Sequence, residues 1–217
     1  MGSKKQLLKN WKTYAILDDG FFPDRQTLLK KFHELLGSPV DAVQLRFENF
    51  ADRSLYRAAE RMVSSAEKTG IPVIINDRPE VALSLGAQGA HLGKSDISVA
   101  IARKMLGRKA IIGKTVRNHA DIMRSQAEGA DYVSIGPFFR TPLKPRFKTV
   151  PASLGRAFFG NIKIPLVAVG GINKNNAGKV AARGAKTVAF LRYGTTEKNT
   201  AKRIEELRCM MTTKEKP

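Results

Sequence analysis

Residues 53–76 read RSLYRAAERMVSSAEKTGIPVIIN, and this one stretch contains a complete helix–glycine–strand unit. Leu55 and Met62 stand seven residues apart on one apolar face, which indicates an amphipathic helix. Gly70 follows this helix, at the position where a left-handed cap residue is favoured. The run Val73–Ile75 is apolar at consecutive positions, which is typical of a parallel strand covered on both faces.

The same unit recurs along the chain. Glycines follow helical stretches at Gly86, Gly107, Gly129 and Gly184, and helix N-caps are expected at Asp52, Ser98 and Asn118. Eight short apolar runs are predicted strands: Tyr14–Leu17, Ala42–Leu45, Pro72–Ile75, Gly89–Leu92, Ala110–Gly113, Tyr132–Ile135, Pro165–Val169 and Thr187–Leu191. Eight such alternations predict a single α/β domain over residues 1–217, a (β/α)8 TIM barrel with a frayed polar tail at 212–217. A doubly wound open sheet is the alternative.

The composition is that of an ordinary globular protein with an unusual charge balance. Lys and Arg number 38 against 19 Asp and Glu, a formal net charge of +19. This surplus attracts anions, but its residues form no continuous block, so we expect small phosphorylated ligands rather than nucleic acid. The sequence contains no membrane-length apolar run and no signal-peptide pattern. We therefore expect a cytoplasmic protein in which the lone Cys209 has no special role.

Polar residues or glycines follow every predicted strand. In a parallel barrel these positions meet at one end, where the chemistry of such barrels is located. In strand order they are Asp18, Gln44–Arg46, Asn76–Arg78, His91–Asp96, Gly113–Thr115, Gly136–Pro137, Gly170–Gly171 and Arg192–Gly194. The sequence therefore predicts a ligand site at the carboxyl ends of the strands.

The glycine pair after strand seven is typical of a phosphate site. Gly170 and Gly171 let the backbone approach an anion closely, and the helix that follows is expected to point N–H groups and its positive dipole end at that anion. Phosphate sites in barrels recur after strands seven and eight, which favours phosphate over a simple turn.

Asp77 and Asp96 are the carboxylates best placed to hold a divalent cation such as Mg²⁺. The alternative is that each only caps a helix or pairs with a neighbouring arginine, as Asp77 could with Arg78. His91 ends an apolar strand, and we interpret it as a structural histidine rather than a ligand.

Taken together, these motifs resemble the thiamine phosphate synthase family. The resemblance runs from about Tyr14 to Arg192. It is carried by Gln44–Arg46, Ile74–Arg78, Gly86–Gly93 with Asp96, Asp131–Tyr132, Gly136–Phe139, Thr141 with Lys144, and Ala168–Ile172.

The resemblance implies a transferase that joins hydroxymethylpyrimidine pyrophosphate to thiazole phosphate, with Mg²⁺ as cofactor, in thiamine biosynthesis. It implies that Asp77 and Asp96 hold Mg²⁺ and that Gln44, Arg46 and Asn76 contact the pyrimidine pyrophosphate. Arg46, Asn76 and Lys144 are the implied catalytic residues. The implied contacts to the thiazole phosphate and pyrophosphate are Thr115, Thr141, Lys144, Gly170, Gly171, Leu191 and Arg192.

The chain departs from the family pattern at four places. Glu48 replaces the lysine of an Arg-x-Lys pattern after strand two, Thr115 replaces the serine of a Gly-x-Ser pattern after strand five, and Arg117 replaces a nearby histidine. Leu143 replaces a threonine, and Arg192 a serine. A carboxylate repels pyrophosphate unless a cation intervenes. One hypothesis is that Lys94, Lys114 or Arg192 compensates; the competing hypothesis is that pyrophosphate binding is lost.

Other functions remain as alternatives. A thiazole tautomerase-like isomerase shares the fold, but the histidine it uses after strand six is missing from Gly136–Phe138. A non-catalytic paralogue that binds a phosphate ligand would tolerate the four departures. A homodimer is compatible with the sequence, although the outer helices show no apolar stripe separable from the core.

Overall fold

Eight parallel strands close into one barrel. The computed structural model describes residues 4–143, 145–151 and 162–212. The strands follow one another around the barrel in chain order, and β8 pairs with β1. The (β/α)8 prediction is therefore confirmed and the open sheet is wrong, because each of the eight described strands pairs with a neighbour on both sides. In the described part of the chain, no helix has the length and apolarity needed to cross a membrane.

The predicted strands all form; the fourth and sixth have the predicted ends, and the other six are shifted at one or both ends. They are β1 Thr13–Asp18, β2 Ala42–Arg46, β3 Val73–Asn76, β4 Gly89–Leu92, β5 Ile111–Val116, β6 Tyr132–Ile135, β7 Leu166–Val169 and β8 Thr187–Phe190. The described helices are α1 Lys4–Asn10, α2 Arg25–Leu36, α3 Arg53–Glu67, α4 Pro79–Leu85, α5 Val99–Leu106, α6 His119–Ala127, α7 Ala177–Ala182, α8 Arg192–Thr195 and α9 Thr200–Thr212, with a 3₁₀ turn at Asp19–Phe21. Of the predicted tail, Thr212 ends α9, and residues 213–217 lie outside the described residues.

The helix ends follow the local chemistry of the sequence. Side chains of Asp52, Ser98 and Asn118 accept hydrogen bonds from backbone N–H groups in the first turns of α3, α5 and α6. Gly86 has a φ of 66° and its N–H bonds the Ala82 carbonyl, which ends α4. These caps fix where each helix begins and ends, and therefore where each strand exit falls.

The N-terminal segment closes the lower end of the barrel. Leu8 and Trp11 are buried against Tyr14 and Tyr132 inside the barrel, and the Trp11 and Tyr14 rings lie 5.5 Å apart. Lys4 Nζ donates to the Ala110 carbonyl just before β5 at 2.9 Å. The carboxyl ends of the strands are therefore the end that remains for a ligand.

Candidate active site

Two carboxylates meet at the ends of β3 and β4. The Gly93 N–H lies between them and donates to Asp96 Oδ2 at 2.6 Å and to Asp77 Oδ1 at 3.2 Å. Asn76 Nδ2 donates to Asp77 Oδ2 at 2.7 Å. A Cβ on Gly93 would stand only 3.2 Å from Asp96 Oδ2, so a side chain here would crowd the pair. The site residues predicted on these two strands are thus brought together.

The backbone aims Asp77 into this pair. Its φ is 58°, in the left-handed region that residues other than glycine rarely adopt, and its N–H donates to the His91 carbonyl at 2.7 Å. Arg78 instead pairs with Glu80, with Nε 2.5 Å from Oε1, and is itself the N-cap residue of α4. The alternative that Asp77 caps a helix or pairs with Arg78 is therefore wrong.

The Asp77 carboxyl carries a raised pKa. Desolvation of the carboxyl group and the neighbouring Asp96 carboxyl raise the pKa of Asp77 from 3.8 to about 6, although the Gly93 N–H and Asn76 oppose the rise. Two carboxyl groups that share one N–H donor repel each other when both are ionised.

This arrangement fits a divalent cation. Mg²⁺ in proteins often takes one or two carboxylates and completes its shell with water and substrate phosphates. No third His, Cys, Asp or Glu joins Asp77 and Asp96 among the described residues. A cation bound here would therefore draw its remaining ligands from substrate and solvent.

A chain of hydrogen bonds crosses the barrel interior below this rim. Gln44 Nε2 donates to the Tyr14 hydroxyl at 2.8 Å, and the hydroxyls of Tyr14 and Tyr132 lie 2.9 Å apart. The Tyr132 hydroxyl lies 3.0 Å from His91 Nδ1. We call these four side chains the buried relay. Burial raises the pKa of Tyr14 and of Tyr132 well above the usual range, so both phenols stay protonated.

The relay continues to the rim through His91. His91 Nε2 lies 2.9 Å from Thr115 Oγ1 and 3.3 Å from Ser134 Oγ. Both ring nitrogens therefore have side-chain partners, which agrees with the structural interpretation of His91. Gly113 makes room for the relay, because a Cβ there would lie 2.1 Å from Tyr132 Cζ.

Arg46 ends β2 and pairs with Asp18, which ends β1. Asp18 is 3% exposed and also accepts a hydrogen bond from the Gly20 N–H at 3.0 Å. The sequence predicts Asp18 at a strand exit but assigns it no role. In the structure its carboxylate forms an ion pair with the Arg46 guanidinium and holds that side chain in place. Glu48 is exposed beyond Arg46, and its N–H donates to Asp19 Oδ1 at 3.2 Å.

The glycine pair after β7 packs against the loop after β6. Gly170 and Gly171 have φ values of 101° and 66°, and a Cβ on Gly171 would lie 2.8 Å from the Arg140 carbonyl oxygen. The Phe139 N–H donates to the Gly170 carbonyl at 3.0 Å. The two loops thus form one surface, with Thr141 directly after Arg140.

The start of α7 differs from the sequence-based expectation. The Asn173 N–H donates to Asn176 Oδ1, and the Asn176 and Ala177 N–H groups donate to the Asn173 carbonyl. These N–H groups are used inside the turn because two asparagine side chains fold back onto it. These N–H groups are therefore directed into the turn rather than at the expected anion.

Of the remaining predicted residues, Leu191 and Arg192 follow β8 at this rim. Leu191 precedes α8 and its carbonyl accepts from Thr195 Oγ1, while Arg192 begins α8 with an exposed side chain. Leu143 is exposed. Lys144 lies outside the described residues.

Lys114 does not project freely into the rim. It lies inside β5, because the strand extends to Val116, and its Nζ donates to the Gly93 carbonyl at 2.7 Å and to the Ile97 carbonyl at 3.3 Å. In this structure the Lys114 ammonium therefore lies on the strand-four loop and not in the position expected of a lysine that binds pyrophosphate.

Comparison with known proteins shows consistent matches. A family model described as thiamine monophosphate synthase matches residues 13–193. The chain is 33% identical over 186 residues to the thiamine-phosphate synthase of Syntrophomonas wolfei, covering 84% of this chain and 87% of that protein. It is 38% identical over 188 residues to that of Clostridium botulinum strain Hall, covering 84% and 89%.

Among solved structures, the fold is similar to thiamine phosphate pyrophosphorylase from Pyrococcus furiosus. The TM-score is 0.81 at 28% identity, covering 95% of this chain and 97% of that one. The 3-hexulose-6-phosphate synthase of Salmonella typhimurium shares the fold alone, with a TM-score of 0.65 at 13% identity over 92% of this chain and 98% of that one.

Proposed function

The chain belongs to the thiamine monophosphate synthase family and is a transferase, and we propose that its strand-end rim joins hydroxymethylpyrimidine pyrophosphate to thiazole phosphate. The products are thiamine phosphate and pyrophosphate. The observation that carries the proposal is the pairing of Asp77 and Asp96 beside Asn76, at the same end of the barrel as Gly170 and Gly171.

The reaction needs little acid–base chemistry from the protein. The bond between the pyrimidine methylene carbon and the pyrophosphate oxygen breaks, and its electron pair leaves with pyrophosphate. The thiazole nitrogen then forms the new carbon–nitrogen bond with its lone pair. Such a step depends on positive charge around the leaving group and on a nucleophile held in position.

The rim supplies both requirements. Arg46, held by Asp18, and Asn76 would contact the pyrimidine pyrophosphate, and Gln44 would contact its ring from the layer below. Residues from strands five to eight would surround the thiazole phosphate and the departing pyrophosphate: Thr115, Thr141, Lys144, Gly170, Gly171, Leu191 and Arg192.

Asp77 and Asp96 would hold Mg²⁺. The ion would supply Lewis-acid stabilisation of the charge that develops on the leaving pyrophosphate. The basic surplus of the whole chain, +19, would attract both anionic substrates to the rim. A cytoplasmic location and a homodimer remain predictions.

A direct assay tests the proposal. The full chain is mixed with both precursors, with and without Mg²⁺, and thiamine phosphate and pyrophosphate are measured. Equal amounts of the two products, formed only with the metal, would support it. A folded protein that binds thiamine phosphate in a calorimetric titration but releases no pyrophosphate would instead identify a non-catalytic binding paralogue.

Glu48→Lys should raise kcat/KM for the pyrimidine substrate, by about 3- to 10-fold. The change replaces a repulsive charge by an attractive one at an exposed position, where a charge pair contributes roughly 1 kcal/mol. Steady-state kinetics measure it. Glu67→Lys, the same charge change at the far end of α3, is the control and should leave kcat/KM unchanged. A lower rate in Glu48→Lys would show that Glu48 has its own function at the rim.

A further inference from the structure

The loop that carries Asp96 is held from both sides. Its first residue, Gly93, donates its N–H to the two carboxylates and accepts the Lys114 ammonium at its carbonyl oxygen, 2.7 Å away. The same ammonium reaches the Ile97 carbonyl, at the other end of the loop, at 3.3 Å. One side chain from β5 thus joins both ends of the segment Gly93–Ile97, which we call the acidic loop.

We propose that Lys114 is a positioning residue that holds the acidic loop, and with it Asp96 against Asp77, before any metal ion binds. The inference rests on the metal site proposed above and names the residue that assembles it. Lys114 is neither a metal ligand nor a direct contact of pyrophosphate in this role. It acts through the backbone of Gly93 and Ile97.

The surroundings of Lys114 match this role. Burial lowers the pKa of Lys114, and the carboxylates of Asp96, Glu128 and Asp77 act in the opposite direction. Its ammonium contacts the Gly93 and Ile97 carbonyl oxygens, and the carboxylates act on it over a longer distance. The position lies inside β5, where strand pairing with β4 and β6 fixes the Lys114 backbone. A rigid strand thereby fixes an otherwise irregular loop.

Amide hydrogen exchange in the metal-free protein tests the proposal directly. Lys114→Met keeps the aliphatic length of the side chain and removes its donors, so the Gly93 amide should exchange about 10-fold faster. The Asp77 amide, which bonds the His91 carbonyl, is the internal reference and should change less than about 2-fold. Lys94→Met removes an exposed ammonium from the same loop and should leave Gly93 exchange unchanged.

Binding of Mn²⁺ alone gives an independent readout. Loss of a positive charge close to two carboxylates would by itself strengthen cation binding, whereas loss of the loop position would weaken it. These effects have opposite signs, so the direction of the change identifies the role. We expect Lys114→Met to bind Mn²⁺ about 10-fold more weakly in a calorimetric titration, and Lys94→Met to bind it as well as the unmodified protein or slightly better.

The contrary results are equally specific. Unchanged Gly93 exchange, or Mn²⁺ binding as tight as in the unmodified protein, would overturn the proposal. A higher KM for the pyrimidine substrate with unchanged exchange would assign Lys114 to pyrophosphate instead. If Lys114→Met does not fold, Lys114→Gln is judged by the same criteria. Exchange and Mn²⁺ binding are measured without turnover. The Lys114 inference can therefore fail while the synthase activity is confirmed, and it can hold in a protein that has no synthase activity.

Discussion

Replacing Asp96 with Asn should lower kcat/KM for thiamine phosphate formation by about 10³-fold and remove saturable Mn²⁺ binding. Metal stabilisation of developing phosphate charge contributes several kcal/mol to a transition state, and about 1.4 kcal/mol corresponds to each tenfold in rate. The Gly93 N–H keeps Asp77 as a partner, so the loop is expected to remain folded. Steady-state kinetics and calorimetry measure the two effects.

Glu80→Gln is the matched control for this change. It removes an exposed carboxylate close to the site, one that pairs with Arg78 rather than with the two aspartates. Its kcat/KM should stay within about 2-fold of the unmodified protein, because exposed ion pairs contribute little. Retention of activity within tenfold in Asp96→Asn would contradict the proposed metal site.

The pH dependence of Asp77 supplies a second measurement on the same variant. Desolvation and the neighbouring Asp96 raise the pKa of Asp77 to about 6. In the metal-free protein, the contribution of Asp77 to folding stability is therefore fully present below about pH 3.8 and is lost as the pH rises through about 6. A proton competes with the cation, so Mn²⁺ binding to the unmodified protein should weaken as pH falls through 6. In Asp96→Asn the pKa of Asp77 should fall, which carboxyl NMR would detect.

The fold could be predicted because its signals are local. Gly70 between an amphipathic helix and an apolar strand needs only about twenty consecutive residues to be recognised, and the unit repeats. The helix caps at Asp52 and Ser98 can also be recognised from a few consecutive residues. Closure of the barrel then follows from the number of units, since each strand pairs with the next in chain order.

The candidate site could be predicted as a set of strand exits but not as a network. The positions of Asp77 and Asp96 after their strands point to a shared site, whereas the contact of Lys114 with Gly93 depends on the extension of β5 by three residues beyond its predicted end. The sequence places Tyr14 and Tyr132 on strands, and Tyr132 in a family motif, but no local pattern joins two residues that are 118 positions apart. Side-chain direction across a barrel is a tertiary property.

Replacing Tyr132 with Phe should destabilise the protein by about 2–4 kcal/mol. The change takes one hydrogen-bond partner from Tyr14 and one from His91 in the buried barrel interior, and each such loss costs about 1–3 kcal/mol. For a protein of this size the melting temperature should fall by roughly 5–15 °C. Thermal unfolding followed by circular dichroism measures it.

Tyr56→Phe is the control for the loss of a phenol oxygen. Its hydroxyl donates to Ser84 Oγ at 2.9 Å on the exposed side of α3, so water can replace the lost bond. The melting temperature should then change by no more than roughly 2 °C. An equal fall in melting temperature in Tyr132→Phe and Tyr56→Phe would show that the buried relay contributes no more to stability than a surface hydrogen bond.

Kinetics of Tyr132→Phe test whether the buried relay is purely structural or also positions the substrate. Gln44 is 3% exposed and its amide is held by the Tyr14 hydroxyl, which loses its contact with Tyr132 in the variant. A Gln44 amide that contacts the pyrimidine should then lose its fixed orientation. We expect the KM for the pyrimidine substrate to rise about tenfold at a temperature where the variant is fully folded. An unchanged KM for the pyrimidine substrate would contradict the assignment of Gln44 to the pyrimidine, because the Gln44 amide is bonded to the Tyr14 hydroxyl.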